Sequence, residues 1–249
     1  MTTFSQNQID SICQVRDGLI EKVKDKTLSE QEKMTLIKLV FELQNRGFKL
    51  EENYSDASNS LIYIDNAIPV WIALEDTSMY ANLLKFKGLI LGYIGKFDEA
   101  KLAIRQAISL YTLKKQEFGV AVSYFDLSKV YEQETKIDSS FYFTNLGLKY
   151  WETKSDTSRI IGHNIQLINL YLKTGDITSA KKLQQYTEND LRIDNEYWYQ
   201  QMNFYYLSYK INDYENNVLL RDKYYKLYQD IMNGQLKKDL NFKPRMITN

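Results

Sequence analysis

An all-α chain, a solenoid of about five helical hairpins with an extra helix at the N-terminus, is predicted by three features of the sequence. The first is a period of 40 in residue number. Ser60, Ala100, Ser140 and Ala180 are all small, as are Ala67, Ala107 and Gly147. Ile68, Ile108 and Leu148 are apolar, Trp71, Tyr111 and Trp151 are large aromatics, and Leu91, Tyr131 and Tyr171 form a further column. Agreement of several columns at one spacing is the signature of a repeat architecture. The second feature is punctuation. With 2 prolines and 10 glycines in 249 residues, long helices with few sharp connections fit better than a sandwich of many turns. The third is amphipathic spacing at the helical period throughout.

In chain order, Phe4, Ile9, Ile12, Cys13, Val15, Leu19, Ile20 and Val23 predict a helix that caps the first hairpin. Ser29 and Glu32 then match a capping box, opening a helix that runs to about Leu50. Pro69 falls inside the next helix, where a kink or early end is expected. The stretch 80–112 carries two helical patterns around a tight turn at Gly95-Lys96-Phe97-Asp98. Gly95 suits the left-handed position after a helix, and Asp98 with Glu99 suits the positive start of the next. Gly88 and Gly92 form an in-helix pair suited to close packing. Gly175 repeats Gly95, with Thr135 between them. The fifth hairpin, with Phe204, Tyr205, Ser208, Tyr214, Asn217 and Tyr224, aligns if the register slips back about three residues. The reading therefore divides the chain into a capping helix at 1–27, a solenoid at 28–233 and a polar tail at 234–249.

The order Gly88, Leu91, Gly95, Phe97, Ala100, Ile104, Ala107 resembles the tetratricopeptide repeat, whose units place a small residue in the first helix, an aromatic after the turn and two alanines on the second. The resemblance covers about 29–233. It departs from the family in its length of 40 against 34 residues, in lacking the closing proline, and in Lys87 at a normally apolar position, where the ammonium has to reach water along its own stem. Repeats of this length are similar in period to those of bacterial peptide-sensing regulators and some bacterial sensor proteins.

The resemblance implies a right-handed superhelix whose first helices line a concave groove. Carried over residue by residue, it puts Asn82, Lys85, Leu89 and Tyr93 in that groove, then Phe125 and Lys129, then Ile165 and Asn169, and finally Tyr206 and Tyr209. Asn45 and Lys49 are candidates from the first unit. The lysines suit carboxylates, the asparagines main-chain amides and the aromatics apolar side chains of an extended peptide. Lys85 is followed by Leu89, so the family's carboxylate clamp is not expected. The aromatic run Tyr197, Trp198, Tyr199, Phe204, Tyr205, Tyr206, Tyr209 suggests a contact surface, either the groove's end or a homodimer interface with the last helix.

Enzymatic readings find no support in motifs. His163 is the single histidine and reads as packing, and no nucleotide-binding glycine loop or metal-ligand spacing occurs. No cofactor or metal is expected. Thirty-two basic and thirty-two acidic residues cancel, which argues against nucleic acid or an anionic membrane as partner. The one cysteine rules out an intramolecular disulfide, and no 18-residue apolar run occurs, so a soluble cytoplasmic protein is expected. The expected function is a non-enzymatic peptide- or protein-binding scaffold or adaptor. The alternative is a peptide-responsive sensor whose superhelix changes shape and signals to an effector.

Overall fold

The computed structural model of the chain describes residues 6–51, 57–191 and 198–238. The side chains of Cys13, Asn45 and Lys49, as well as Tyr197 and residues 239–249, lie outside the described residues. Among the described residues there are eleven helices and no strand. They are α1 (Gln6–Lys24), α2 (Glu30–Glu51), α3 (Ala57–Ala73), α4 (Thr77–Tyr93), α5 (Phe97–Leu113), α6 (Glu117–Gln133), α7 (Ile137–Lys154), α8 (Thr157–Lys173), α9 (Ile177–Asp190), α10 (Trp198–Tyr214) and α11 (Val218–Lys238). The fold is thus an all-α helical-repeat solenoid, and α11 runs on through Gly234. The chain forms two compact units, Met1–Glu134 and Thr135–Asn249.

In the first unit α2 pairs with α3 and α4 with α5, while the first helices α2, α4 and α6 lie side by side. α1 packs on α2 and α3, burying Ile20. Arg16 of α1 donates to the backbone carbonyl of Asn66 at 3.2 Å and to its side chain. In the second unit α8 pairs with α9 and α10 with α11, and α8 packs beside α10.

The small columns are the helix joints. Ser60, Ala100, Ser140 and Ala180 are fully buried, as are Ala67 and Ala107, and Trp71, Tyr111 and Trp151 are buried beside them. Small side chains let axes approach to about 8–10 Å. Gly88 shows how close this is, because a Cβ there would lie 2.4 Å from Ile104 Cγ1 of α5. The aromatic column packs on the start of the following first helix. Tyr111 lies against Gly119, and Trp151 lies beneath the Arg159 guanidinium, 5.0 Å from its ring centroid.

The turns repeat too. Gly95 has φ +79°, and the N–H groups of Gly95 and Lys96 return to the carbonyls of Gly92 and Leu91, a Schellman closure. The same closure recurs at Gly175 with Asp176 and, without glycine, at Glu75, Lys115, Ser155 and Asn216. The Ser29–Glu32 capping box forms, with the Ser29 N–H donating to Glu32 Oε2 at 3.0 Å and the Glu32 N–H to Ser29 Oγ at 3.3 Å. Lys87 reaches Asp65 of α3 at 2.7 Å, so its charge is met by a carboxylate.

Two expectations are corrected. α3 does not end at Pro69 but continues to Ala73. The fifth hairpin moves forward one residue instead of back three. Its left-handed turn residue is Asn216, 41 after Gly175, and Asn217 is no alanine-column residue but the N-cap whose Oδ1 accepts from the Leu220 N–H at 3.3 Å.

A longer period of 80 emerges from the contacts. Trp71 and Asp76-Thr77-Ser78 recur as Trp151 and Asp156-Thr157-Ser158. Asp76 and Asp156 both cap helices, each accepting from the N–H three residues on at 3.0 Å. Ser78 accepts from Gln116 Nε2 at 2.7 Å, and the Ser158 carbonyl accepts from Gln200 Nε2 at 3.1 Å. Lys101 binds Glu134 at 2.9 Å and Lys181 binds Glu215 at 2.8 Å. The hydrogen bond to Glu134 raises the Lys101 pKa above its ordinary value. Each unit is therefore tied by the same set of residues.

Candidate functional site

Close approach of α4 and α6 creates the site in the first unit. Gly92 on α4 leaves room for Val130 and Gln133 of α6, which a Cβ would meet at 3.0 and 2.9 Å. At that spacing Lys85, two turns back on α4, comes to 3.7 Å from Asp126 Oδ2 on α6. Both side chains are largely enclosed, at 13% and 14% exposure. The Lys85 ammonium also lies 5.0 Å from the Phe86 ring centroid. One turn along α6, Lys129 lies 5.6 Å from the Phe125 ring centroid and 3.6 Å from Glu132, which is itself buried. Burial first, and then the Asp126 charge, push the nearby Tyr111 hydroxyl up to about 12.

Asn82, Lys85, Leu89 and Tyr93 follow one another at helical spacing on α4, with Asn82 and Leu89 half-buried and Tyr93 exposed. Phe125 and Lys129 do the same on the neighbouring α6, both half-buried. These six sequence-predicted residues are brought to one pair of adjacent first helices. The lysines, however, already face carboxylates of the chain itself. Asp126 completes the face and was missed, because a 40-residue step from Lys85 lands on Phe125 and its neighbour escapes notice.

The other four candidates are placed differently. Ile165 and Asn169 of α8 are 8% and 5% exposed, and every residue from His163 to Leu170 is buried, so neither side chain is presented to a ligand. Tyr206 and Tyr209 of α10 turn to α11, their rings 5.4 Å from Tyr228 and 5.2 Å from Tyr225. They belong to the end of the second unit. Nearby, the buried Tyr224 hydroxyl donates to Glu188 at 2.8 Å and accepts from Gln184 Nε2 at 3.1 Å. Burial, and next Glu188, raise its pKa to about 12.

His163 is buried, with Nδ1 2.8 Å from the Arg159 carbonyl, a contact that makes Nδ1 the protonated nitrogen. Among the described residues no group of three or more His, Cys, Asp or Glu is placed to hold a metal ion. No described helix is long and apolar enough to cross a membrane.

No family model matches the sequence, and no curated protein matches it either. Solved structures do match. BtubC (BKLC) from P. vanneervenii aligns with a TM-score of 0.64 at 12% identity, covering 91% of this chain and 92% of that one. The apo form of RapI aligns with a TM-score of 0.47 at 14% identity, covering 96% of this chain and 87% of that one. At 12% identity the likeness to BtubC is one of fold, and it extends over nearly the whole of both chains: what this protein shares with it is the architecture of an α-helical repeat.

Proposed function

We propose that the chain is a non-enzymatic, cytoplasmic binding module of the tetratricopeptide kind, holding a peptide or protein segment against α4 and α6. The observation that carries this reading is the constellation of Lys85, Phe86, Phe125, Asp126, Lys129 and Glu132. It places two ammoniums, two carboxylates and two phenyl rings on adjacent first helices, each cation lying on a ring as well as near an acid. Such a face suits an extended segment carrying both charged and apolar side chains, since a charged side chain from the segment can exchange with the internal pair while the rings take up apolar groups. Asn82, Leu89 and Tyr93 extend the same face along α4. Further partners of the same module include another copy of the chain.

A displayed library of random peptides panned on the purified chain tests the proposal. Enriched peptides are then titrated against the parent and a Tyr93→Ala, Phe125→Ala double variant. Lys85 and Lys129 are left intact, because their removal would strand the enclosed Asp126 and Glu132 charges and disturb the fold. Binding should weaken on the order of tenfold or more in the variant. Enriched peptides that bind both proteins equally, or a library with no enrichment, would remove α4 and α6 from the mechanism.

A further inference from the structure

The end of the second unit gathers tyrosines that the peptide site does not use. Tyr206 and Tyr209 share one face of α10, and Tyr225 and Tyr228 share one face of α11. The hairpin folds these faces together, so that the four rings form a closed circuit with neighbouring centroids 5.2–6.3 Å apart. Its closest pair joins the two helices: Tyr209 and Tyr225 lie 5.2 Å apart with their planes at 44°. Tyr225 is also 42% exposed, which opens this pair to a reagent in solution. Tyr206 and Tyr228, at 5.4 Å, are both half-buried. Tyr205 and Tyr224 stack at 6.3 Å in the interior, where the Tyr224 hydroxyl is held by Glu188.

We propose that Tyr209 and Tyr225 form an oxidative modification site, at which a one-electron oxidant ties α10 to α11 through a dityrosine bond. Each phenol gives one electron to an equivalent of the oxidant and its proton to water. The two phenoxyl radicals join through ring carbons ortho to oxygen, and the hydrogen on each of those carbons moves to the oxygen beside it. One carbon–carbon bond is made, two ring carbon–hydrogen bonds are broken, and both hydroxyls are restored. In total the chain loses two electrons and two protons. The circuit holds the first radical until the second forms, because each ring has chemically equal neighbours 5.2–6.3 Å away to which the radical can pass and from which it can return. Rings already in contact reach the bonding geometry by small turns about χ1 and χ2, the latter a broad torsion in tyrosine. The product closes a short loop around the left-handed turn at Asn216, so a hairpin held by packing becomes one held by a covalent bond as well.

Photo-oxidation of the full chain by a ruthenium–bipyridyl complex with persulfate tests this, the ruthenium(III) species being the one-electron oxidant. The expected product is a single chain lighter by two hydrogen atoms and fluorescing as dityrosine, from which trypsin releases residues 193–210 joined to residues 224–226. Tyr225→Phe and Tyr209→Phe keep the packed ring and remove the phenol, and each should lose this link. Tyr224→Phe and Tyr206→Phe, in the same two peptides, should keep it. Absence of dityrosine, dityrosine that joins only separate chains, or a 193–210 to 224–226 link that survives Tyr225→Phe overturns the proposal. A link from 193–210 to 227–237 in its place moves the reaction to Tyr206 and Tyr228 and overturns the assignment to Tyr209 and Tyr225.

Discussion

Gly88→Ala should destabilise the protein, although the same change normally stabilises a helix. Alanine in a helix interior is favoured over glycine by about 1 kcal/mol, and that gain applies here as anywhere. Against it stand three contacts: the new Cβ would lie 2.4 Å from Ile104 Cγ1, 2.9 Å from the Ala100 carbonyl oxygen and 3.0 Å from Ile104 Cδ1. Ile104 is fully buried and branched at Cβ, so it has no free rotamer to move into, and the Ala100 oxygen is part of the α5 backbone. The contact is relieved only if α5 moves away from α4. Overpacking of this kind costs about 1–3 kcal/mol, and a backbone neighbour puts it at the upper end. The net loss is about 1–2 kcal/mol, read as a lowered urea midpoint in circular dichroism at unchanged slope. Gly162→Ala is the control. Its Cβ would meet only Gln200 Nε2, at 3.6 Å, an ordinary contact, so the helix gain should survive and the midpoint should rise. Gly119→Ala should behave like Gly88→Ala, since its Cβ would sit 2.5 Å from the Tyr111 ring. If Gly88→Ala raises the midpoint as Gly162→Ala does, α4 and α5 are not in the contact described and the small columns are not joints.

Lys115 occupies a left-handed turn position at φ 55°, where a side chain costs about 1 kcal/mol relative to glycine; Lys115→Gly should raise the urea midpoint and Gly175→Lys should lower it. The acid limb of stability should depend on Asp176, whose carboxyl is held below its ordinary 3.8 by the Ser179 hydroxyl and then by the Ser179 N–H. A depressed native pKa contributes stability above the ordinary value that is lost as pH falls through the native one, so Asp176→Asn, which keeps the cap, should flatten the decline below about pH 3.8 and leave neutral stability nearly unchanged.

Reading the sequence in steps of 40 recovers the joints because a joint is a local demand repeated in every hairpin: a small residue wherever two backbones approach. Ala100 and Ala180 answer it with the same side chain, and both are fully buried. Exposure of the inner face is not local. Lys85 and Ile165 are 80 apart, and so are Leu89 and Asn169, yet burial separates each pair, because it depends on everything packed around the helix. The fifth register was missed for a reason of turn chemistry. A glycine marks the left-handed position at Gly95 and Gly175, but at Asn216 the polar side chain that tolerates this conformation takes its place, and the marker vanishes. The charge on Lys85 was legible and its neutralisation was not, since Asp126 meets it only after α6 has been docked beside Gly92.

The period of 80 separates two kinds of residue in this chain. Those that repeat, Trp71 with Trp151, Asp76 with Asp156, Lys101 with Lys181, are occupied in capping helices or tying one helix to the next. Those of the inner face do not repeat: Asn82 stands opposite Gly162, Lys85 opposite Ile165, Leu89 opposite Asn169 and Tyr93 opposite Lys173. At these positions the two units meet different surroundings. In the second unit those surroundings are the packed interior around α8, and in the first they include the half-open ring and ion-pair face of α4 and α6. A ligand for this protein should therefore be sought on the helix pair that kept its charges and part of its surface.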